Sequence, residues 1–194
     1  MGVWERGARG RGGAGIPRIV VHARCMCAHA ERRWRKRRPT CPPAPQTPHP
    51  QSDKLYVETI DLGEASPRQI LSGLAQHMSL DQVKGADVVV ICNLKARKMA
   101  GVESQGMVLC ASDAAKSNLC FVTPPPGSKP GELVSWDGYP GTAESAKRME
   151  KKKAWEAIAP ELVTAADGTA CYKDKPFKLS SGVCTSKVAS GIIS

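Results

Sequence analysis

The stretch DVVVICNLKARKMAGVESQGMVLCAS, residues 87–112, constrains the fold more tightly than any other part of this chain. Two apolar runs, Asp87–Asn93 and Gly106–Ala111, flank a block that holds Lys95, Arg97 and Lys98, with no carboxylate before Glu103. Short β-branched runs bounded in this way predict strands, and the block between them predicts a short turn. A turn needs only Gly, Asn or Asp to reverse the chain. Three cations within four residues repel one another, so folding alone gives no reason for them. From the residues alone two readings stay open: a solvated loop with incidental charge, and a loop that meets an anion.

The neighbouring segments have the same texture. Lys54–Gly63 alternates and ends in Gly, Pro67–Leu74 predicts a second, short strand, and Ser79–Ala86 predicts a helical turn or loop. Several short strands with turn signals at this spacing predict an all-β chain, a small barrel or sandwich. Beyond Ser117 a second segment begins. In it Trp155, Ile158 and Leu162 fall at helical spacing, and Tyr172–Phe177 predicts a turn between two strands.

The formal net charge is +10, with 28 Lys and Arg against 18 Asp and Glu. Eleven of those cations and only Glu5 and Glu31 fall in residues 1–50, leaving 17 cations and 16 anions for the remainder. Any basic surface on the folded part is therefore local. Residues 1–48 combine GARGRGGAG, the charge block Arg32–Pro39 and the Pro-rich Cys41–Pro48, and are expected to be a disordered tail. The charge block reads as a solvated tail, with a nuclear import signal or a nonspecific RNA arm as the sharper alternatives. One exception inside the tail is Pro17–Ala23, a short β-branched run.

No apolar run approaches the roughly 18 residues of a membrane helix, and the N-terminus shows no apolar core of a secretory signal. Its Arg-rich, acid-poor start resembles an organelle transit peptide, but the first serine is Ser52. A cytoplasmic protein with no membrane partner is expected. The eight cysteines are scattered, several in strand-like runs, which predicts buried free thiols rather than a disulfide framework. His22, Cys25, Cys27, His29 and Cys41 cluster, yet Cys-x-Cys suits a tetrahedral zinc site poorly, so no metal and no cofactor are expected. His77 has no Ser or Cys nucleophile near it, and the glycine-rich stretch lacks the strand–turn–helix context of a phosphate loop. The chain reads as a binder, not an enzyme.

Within the basic block, Asn93 and Ser104 can exchange hydrogen bonds with bases or riboses, and Met99 offers an apolar surface to an unstacked base. Lys147–Lys153, KRMEKKK, reads as a solvated helix face, or as an auxiliary phosphate patch through Lys151, Lys152 and Lys153.

The motifs HPQSDKLYVETIDLGE, PRQILSGL, NLKARKMAGVESQGMVL, KKKAWEAIAPEL and ACYKDKPF resemble the tRNA-binding domain of the endothelial monocyte-activating polypeptide II type, over about residues 49–194. The resemblance implies an oligonucleotide-binding barrel at 49–117 and a β-rich extension at 118–194, packed where bacterial relatives place a dimer partner. The chain is then a monomer. By resemblance, Ser72, Gly73, Asn93, Lys95, Lys98, Ser104 and Gln105 line the RNA face, with Arg97 among them but less typical of the pattern. Such domains are joined to methionyl- and tyrosyl-tRNA synthetases or stand beside them. A noncatalytic role in delivering tRNA to a synthetase, of methionyl type first, is implied. A cytokine-like signalling protein and a scaffold of a multi-synthetase complex are the alternatives.

Two departures stand out. Ala100 occupies a position where the family commonly carries Arg, which removes one phosphate contact. The Pro-rich linker occupies the place of the first barrel strand. Three readings of that gap stay open: Arg18–Ala23 docks as the strand, the barrel is incomplete, or residues 1–48 are translated noncoding sequence.

Overall fold

Residues 19–25, 47–50, 52–139 and 143–194 are described in the computed structural model, the first of these segments by its backbone alone. The first half contributes strands β1 (Ile19–Cys25), β2 (Thr47–His49), β3 (Ser52–Asp61), β4 (Arg68–Ser72), β5 (Asp87–Ile91), β6 (Arg97–Met99), β7 (Val102–Ser104) and β8 (Met107–Val108). A single-turn helix, α1 (Leu80–Val83), precedes β5. The second half contributes β9 (Cys110–Ser112), β10 (Leu119–Phe121), β11 (Glu132–Leu133), β12 (Leu162–Thr164), β13 (Ala170–Tyr172), β14 (Lys175–Pro176), β15 (Lys178–Leu179), β16 (Gly182–Val183) and β17 (Ile192–Ile193). Two short helices, α2 (Ala146–Lys151) and α3 (Ala154–Ile158), lie between β11 and β12.

Alternation in the sequence becomes a barrel-like sheet. Tyr56, Glu58 and Ile60 of β3 are buried at alternate positions, as a half-buried strand requires, and Thr59 is buried as well. The sheet runs β2-β3-β1-β5-β8, with β4 on β3 and β11 on β1. Strand β1 pairs antiparallel with β5 through Val20 opposite Val90 and Val21 opposite Val89, and with β3 through Arg24 opposite Asp61. The place of the missing first strand is therefore filled by Ile19–Cys25, the first of the three readings. It covers strand edges that would otherwise present unpaired backbone groups. The rest of the expected tail, residues 1–18 and 26–46, lies outside the described residues.

The run Val88–Ile91 is continuously apolar because this part of β5 is buried on both faces. Val88 and Val90 join Tyr56, Ile60, Ile70 and Val108 in one core, while Val89 and Ile91 join Leu109, Leu162, Phe177 and Ile193 in another. Leu109 carries the chain between sheets: its N–H donates to Val89 O at 2.8 Å and its carbonyl accepts from Val122 N at 3.0 Å. Strand β9 then enters the second sheet, ordered β10-β9-β17-β12-β13-β14. The extension thus shares a core with the first half. Within the segment Tyr172–Phe177, where the sequence predicts a turn between two strands, the turn itself is Lys173-Asp174, with Tyr172 paired to Lys175 across β13 and β14.

Cys92, Cys110, Cys171 and Cys184 are buried free thiols and Cys120 is half-buried. Burial pushes the Cys110 and Cys184 thiols up to about 12, which keeps them protonated at neutral pH. Two local expectations are corrected. Trp155, Ile158 and Leu162 do not share one helix, because a 3-10 turn at Ala159–Glu161 containing Pro160 ends α3 and Leu162 begins β12. The basic block is not a simple turn either. Arg97–Met99 and Val102–Ser104 pair as a two-stranded hairpin, with Arg97 opposite Ser104 and Lys98 opposite Glu103.

The hairpin tip, Ala100-Gly101, has φ of 47° and 87°, the double positive φ of a type I′ turn. Alanine is strained there by about 1 kcal/mol, whereas Asn tolerates it. Ala100→Asn is expected to stabilise the hairpin by up to about 1 kcal/mol. Slower amide hydrogen exchange at residues 97–104 would show it; unchanged exchange would not fit the strain.

Candidate nucleic-acid interface

Both ends of the basic block are held by Arg68, which the sequence alone did not single out. Its guanidinium binds Glu64 through two bonds of 2.8 and 2.7 Å. The remaining nitrogen donates to Cys92 O at 2.6 Å and Gln105 O at 3.0 Å, the residues that bracket the block. The signal available in sequence was an arginine four residues after a glutamate at the start of an apolar strand. Strand β4 continues the grip: Gln69 Nε2 donates to Glu103 O at 2.9 Å, and Gln105 N donates to Gln69 O at 2.9 Å. The planar fork of Arg suits this clamp, since one side chain can satisfy a carboxylate and two carbonyls at once.

Several polar residues of the expected RNA face point inward. Ser104 is buried; its hydroxyl accepts from Leu71 N at 3.0 Å and donates to Gly106 O at 3.0 Å. Asn93 is buried and its Nδ2 donates to Glu144 O at 2.7 Å, tying the block to the segment before α2. Ser72 is buried and donates to the Glu58 carboxylate. These side chains hold the scaffold in place in this structure. Burial pushes Glu58 up from 4.5 to about 7, against the lowering effect of its hydrogen bond from Ser72. Glu58 Oε2 has no hydrogen-bond partner among the described residues, and Glu58 was not anticipated from sequence.

Gly73, Lys95, Arg97, Lys98 and Gln105 are exposed, and Met99 is half-buried. Lys95 Nζ meets Glu150 at 2.7 Å, so a carboxylate of the extension already faces that cation. Arg97 and Lys98 have no ion pair among the described residues, and both project from a strand fixed by its partner. Ser72, Gly73, Lys95, Arg97, Met99 and Ser104 line one pocket of about 450 Å³, together with Leu94, Met149, Glu150, Trp155 and Glu156 from both halves of the chain. Asn93, Lys98 and Gln105 are not on that lining.

Lys151, Lys152 and Lys153 are exposed, but only Lys151 lies within α2. Lys152 caps that helix, and Lys153 has φ of 48° at the start of α3. Lys152 Nζ meets Glu144 at 2.8 Å and Arg148 meets its other oxygen at 3.1 Å; the hydrogen bond from Lys152 chiefly holds Glu144 below the usual carboxylate range. The side chains of His22, Cys25, Cys27, His29 and Cys41 lie outside the described residues. Among the described residues no cluster of three or more His, Cys, Asp or Glu side chains is placed to hold a metal, and no helix is long and apolar enough to cross a membrane.

Residues 45–133, which include β3 to β8 and the whole basic hairpin, match the family described as "Putative tRNA binding domain". The aminoacyl tRNA synthase complex-interacting multifunctional protein 1 of Cricetulus griseus is 48% identical over 138 residues, covering 70% of this chain and 37% of that protein. A probable methionine–tRNA ligase of Oryza sativa subsp. japonica is 42% identical over 146 residues, covering 75% of this chain and 18% of that protein. This chain therefore spans well under half the length of either relative. The crystal structure of the C-terminal domain of Plasmodium vivax p43 superposes with a TM-score of 0.73 at 27% identity, over 92% of this chain and 96% of that one. With its all-β, oligonucleotide-binding-like architecture and its clamped basic hairpin, this chain belongs, through residues 45–133, to the tRNA-binding domain family.

Proposed function

We propose that the chain binds tRNA without transforming it and presents it to an aminoacyl-tRNA synthetase. The observation that carries this reading is the Arg97–Lys98 strand, two exposed cations that make no ion pair among the described residues, on a hairpin clamped by Arg68. Phosphates approach such a surface with little further ordering of the backbone. Recognition rests mainly on backbone and shape, because a folded tRNA offers few base edges outside its loops. Within this reading the barrel takes residues 49–117 together with β1, and the packed extension takes residues 118–194. A relative that is itself named a methionine–tRNA ligase supports a methionyl-type partner. One named for interacting with the synthase complex supports delivery rather than catalysis. A relative named a cytoplasmic tyrosine–tRNA ligase, of Xenopus laevis, supports a cytoplasmic site of action.

If about four phosphates are neutralised, log K falls with log salt at a slope of roughly −3 to −4 in filter binding of tRNA. A flat salt response would exclude the hairpin cations as the source of affinity. The chain is expected to act as a monomer, since the extension covers the first half through a shared core. Light scattering at micromolar concentration should return the 20.7 kDa chain mass; twice that value would contradict it.

A further inference from the structure

We infer that the pocket between the basic hairpin and the extension takes one unpaired nucleobase of the bound RNA, stacked on Trp155. This deepens the proposed function and rests on it. The pocket, about 450 Å³, is larger than a single base needs and far too small for a duplex. Its lining is divided by chemistry. Leu71, Leu74, Leu94, Met107, Leu119 and Met149 make an apolar wall, and half-buried Trp155 is the aromatic side chain on the lining.

Charge decides which part of a nucleotide enters. Glu150 and Glu156 line the pocket, so a phosphate placed inside would face two carboxylates. Lys95 and Arg97 lie on the same lining and Lys98 on the adjoining strand, where they can hold the phosphates flanking an extruded nucleotide. A base suits the interior: its faces meet Trp155 and Met99, and its edge N–H groups can donate to the carboxylates. Aromatic stacking is tolerant of sequence, which fits a binder that serves tRNAs through shape. Trp155 lies in the extension while the cations lie in the first half, so the base site exists only because the two halves share a core.

The test uses the full chain and two RNAs of equal phosphate count: a hairpin with 2-aminopurine in its single-stranded loop, and a blunt duplex. Trp155→Leu keeps apolar packing against the core but removes the stacking face; Trp155→Phe keeps an aromatic ring. Trp155→Leu is expected to bind the loop RNA about tenfold more weakly while leaving the duplex unchanged. It should also abolish the quenching of 2-aminopurine seen with the natural chain, and Trp155→Phe should retain both. Wild-type loop affinity for Trp155→Leu would overturn the inference. So would an equal loss on loop and duplex, or loss of quenching with Phe and Leu alike at unchanged affinity. If the natural chain binds tRNA but neither of these RNAs, the base site is overturned while the tRNA-binding reading stands; if it does not bind tRNA either, that reading fails and takes the base site with it.

Discussion

Glu58→Gln is expected to be more stable than the natural chain by about 2 to 3 kcal/mol near pH 8, and equal to it near the ordinary carboxylate value of 4.5. Glu58 is fully buried on β3 among Tyr56, Ile60 and Ile70, with a hydrogen bond from Ser72 on one oxygen and none from the described residues on the other. An ionised carboxylate in such a place is costly, so the native state keeps the proton to about pH 7. Between about 4.5 and 7 the native chain therefore holds a proton that the unfolded chain has released. The contribution of Glu58 is most favourable below the unfolded value, falls as pH rises, and is constant above about 7. At roughly 1.4 kcal/mol per pH unit the total loss is about 3 kcal/mol. The amide of Gln can accept from Ser72 as Glu58 does, and it has no charge to bury. Urea unfolding at both pH values measures the difference. Stability curves that run parallel for the two proteins would mean that Glu58 does not titrate in the core.

What the sequence revealed followed the strength of its local patterns. Strand β5 was legible because a continuous β-branched run buried on both faces has few other solutions, and β3 because its alternation survives burial. The docking of Ile19–Cys25 was visible only as a possibility, because residues 26–46 separate it from the next strand and local pattern carries no information across such a gap. The hairpin at 97–104 was missed as a hairpin: Ala100-Gly101 lacks the Asn or Asp that usually announces a type I′ turn. The break after α3 was written in Pro160, yet the spacing of Trp155, Ile158 and Leu162 outweighed it.

The site divided along a different line. Side-chain type told which residues can form hydrogen bonds, but not with what. Ser72, Asn93 and Ser104 have the right chemistry for RNA, and the fold engages all three internally. Exposure, which sequence does not give, separates them from Arg97, Lys98 and Gln105. Glu58 was invisible for the opposite reason, since a carboxylate in YVETI reads as an outward-facing strand position. Arg68 was passed over because its partners, the carbonyls of Cys92 and Gln105, are 24 and 37 residues away.

The second large effect separates the two cationic regions. Arg97→Ala together with Lys98→Ala is expected to weaken tRNA binding by about 2 kcal/mol or more, near thirtyfold, at roughly 1 kcal/mol for each lost charged contact. Both side chains project from a strand already fixed by β7 and the Arg68 clamp, so binding orders little beyond their own rotamers. Changing Lys151, Lys152 and Lys153 to Ala removes one more charge but should cost less. Those long side chains stand on a helix end and the turn after it, and Lys152 must first leave Glu144. Neither variant should change the melting temperature, because none of these side chains is in the core. The direct measurement is a titration of one tRNA with both variants at a single fixed salt concentration. A larger loss for the hairpin pair is the predicted result, and an equal or larger loss for the lysine triple would place the main RNA contact on the extension instead.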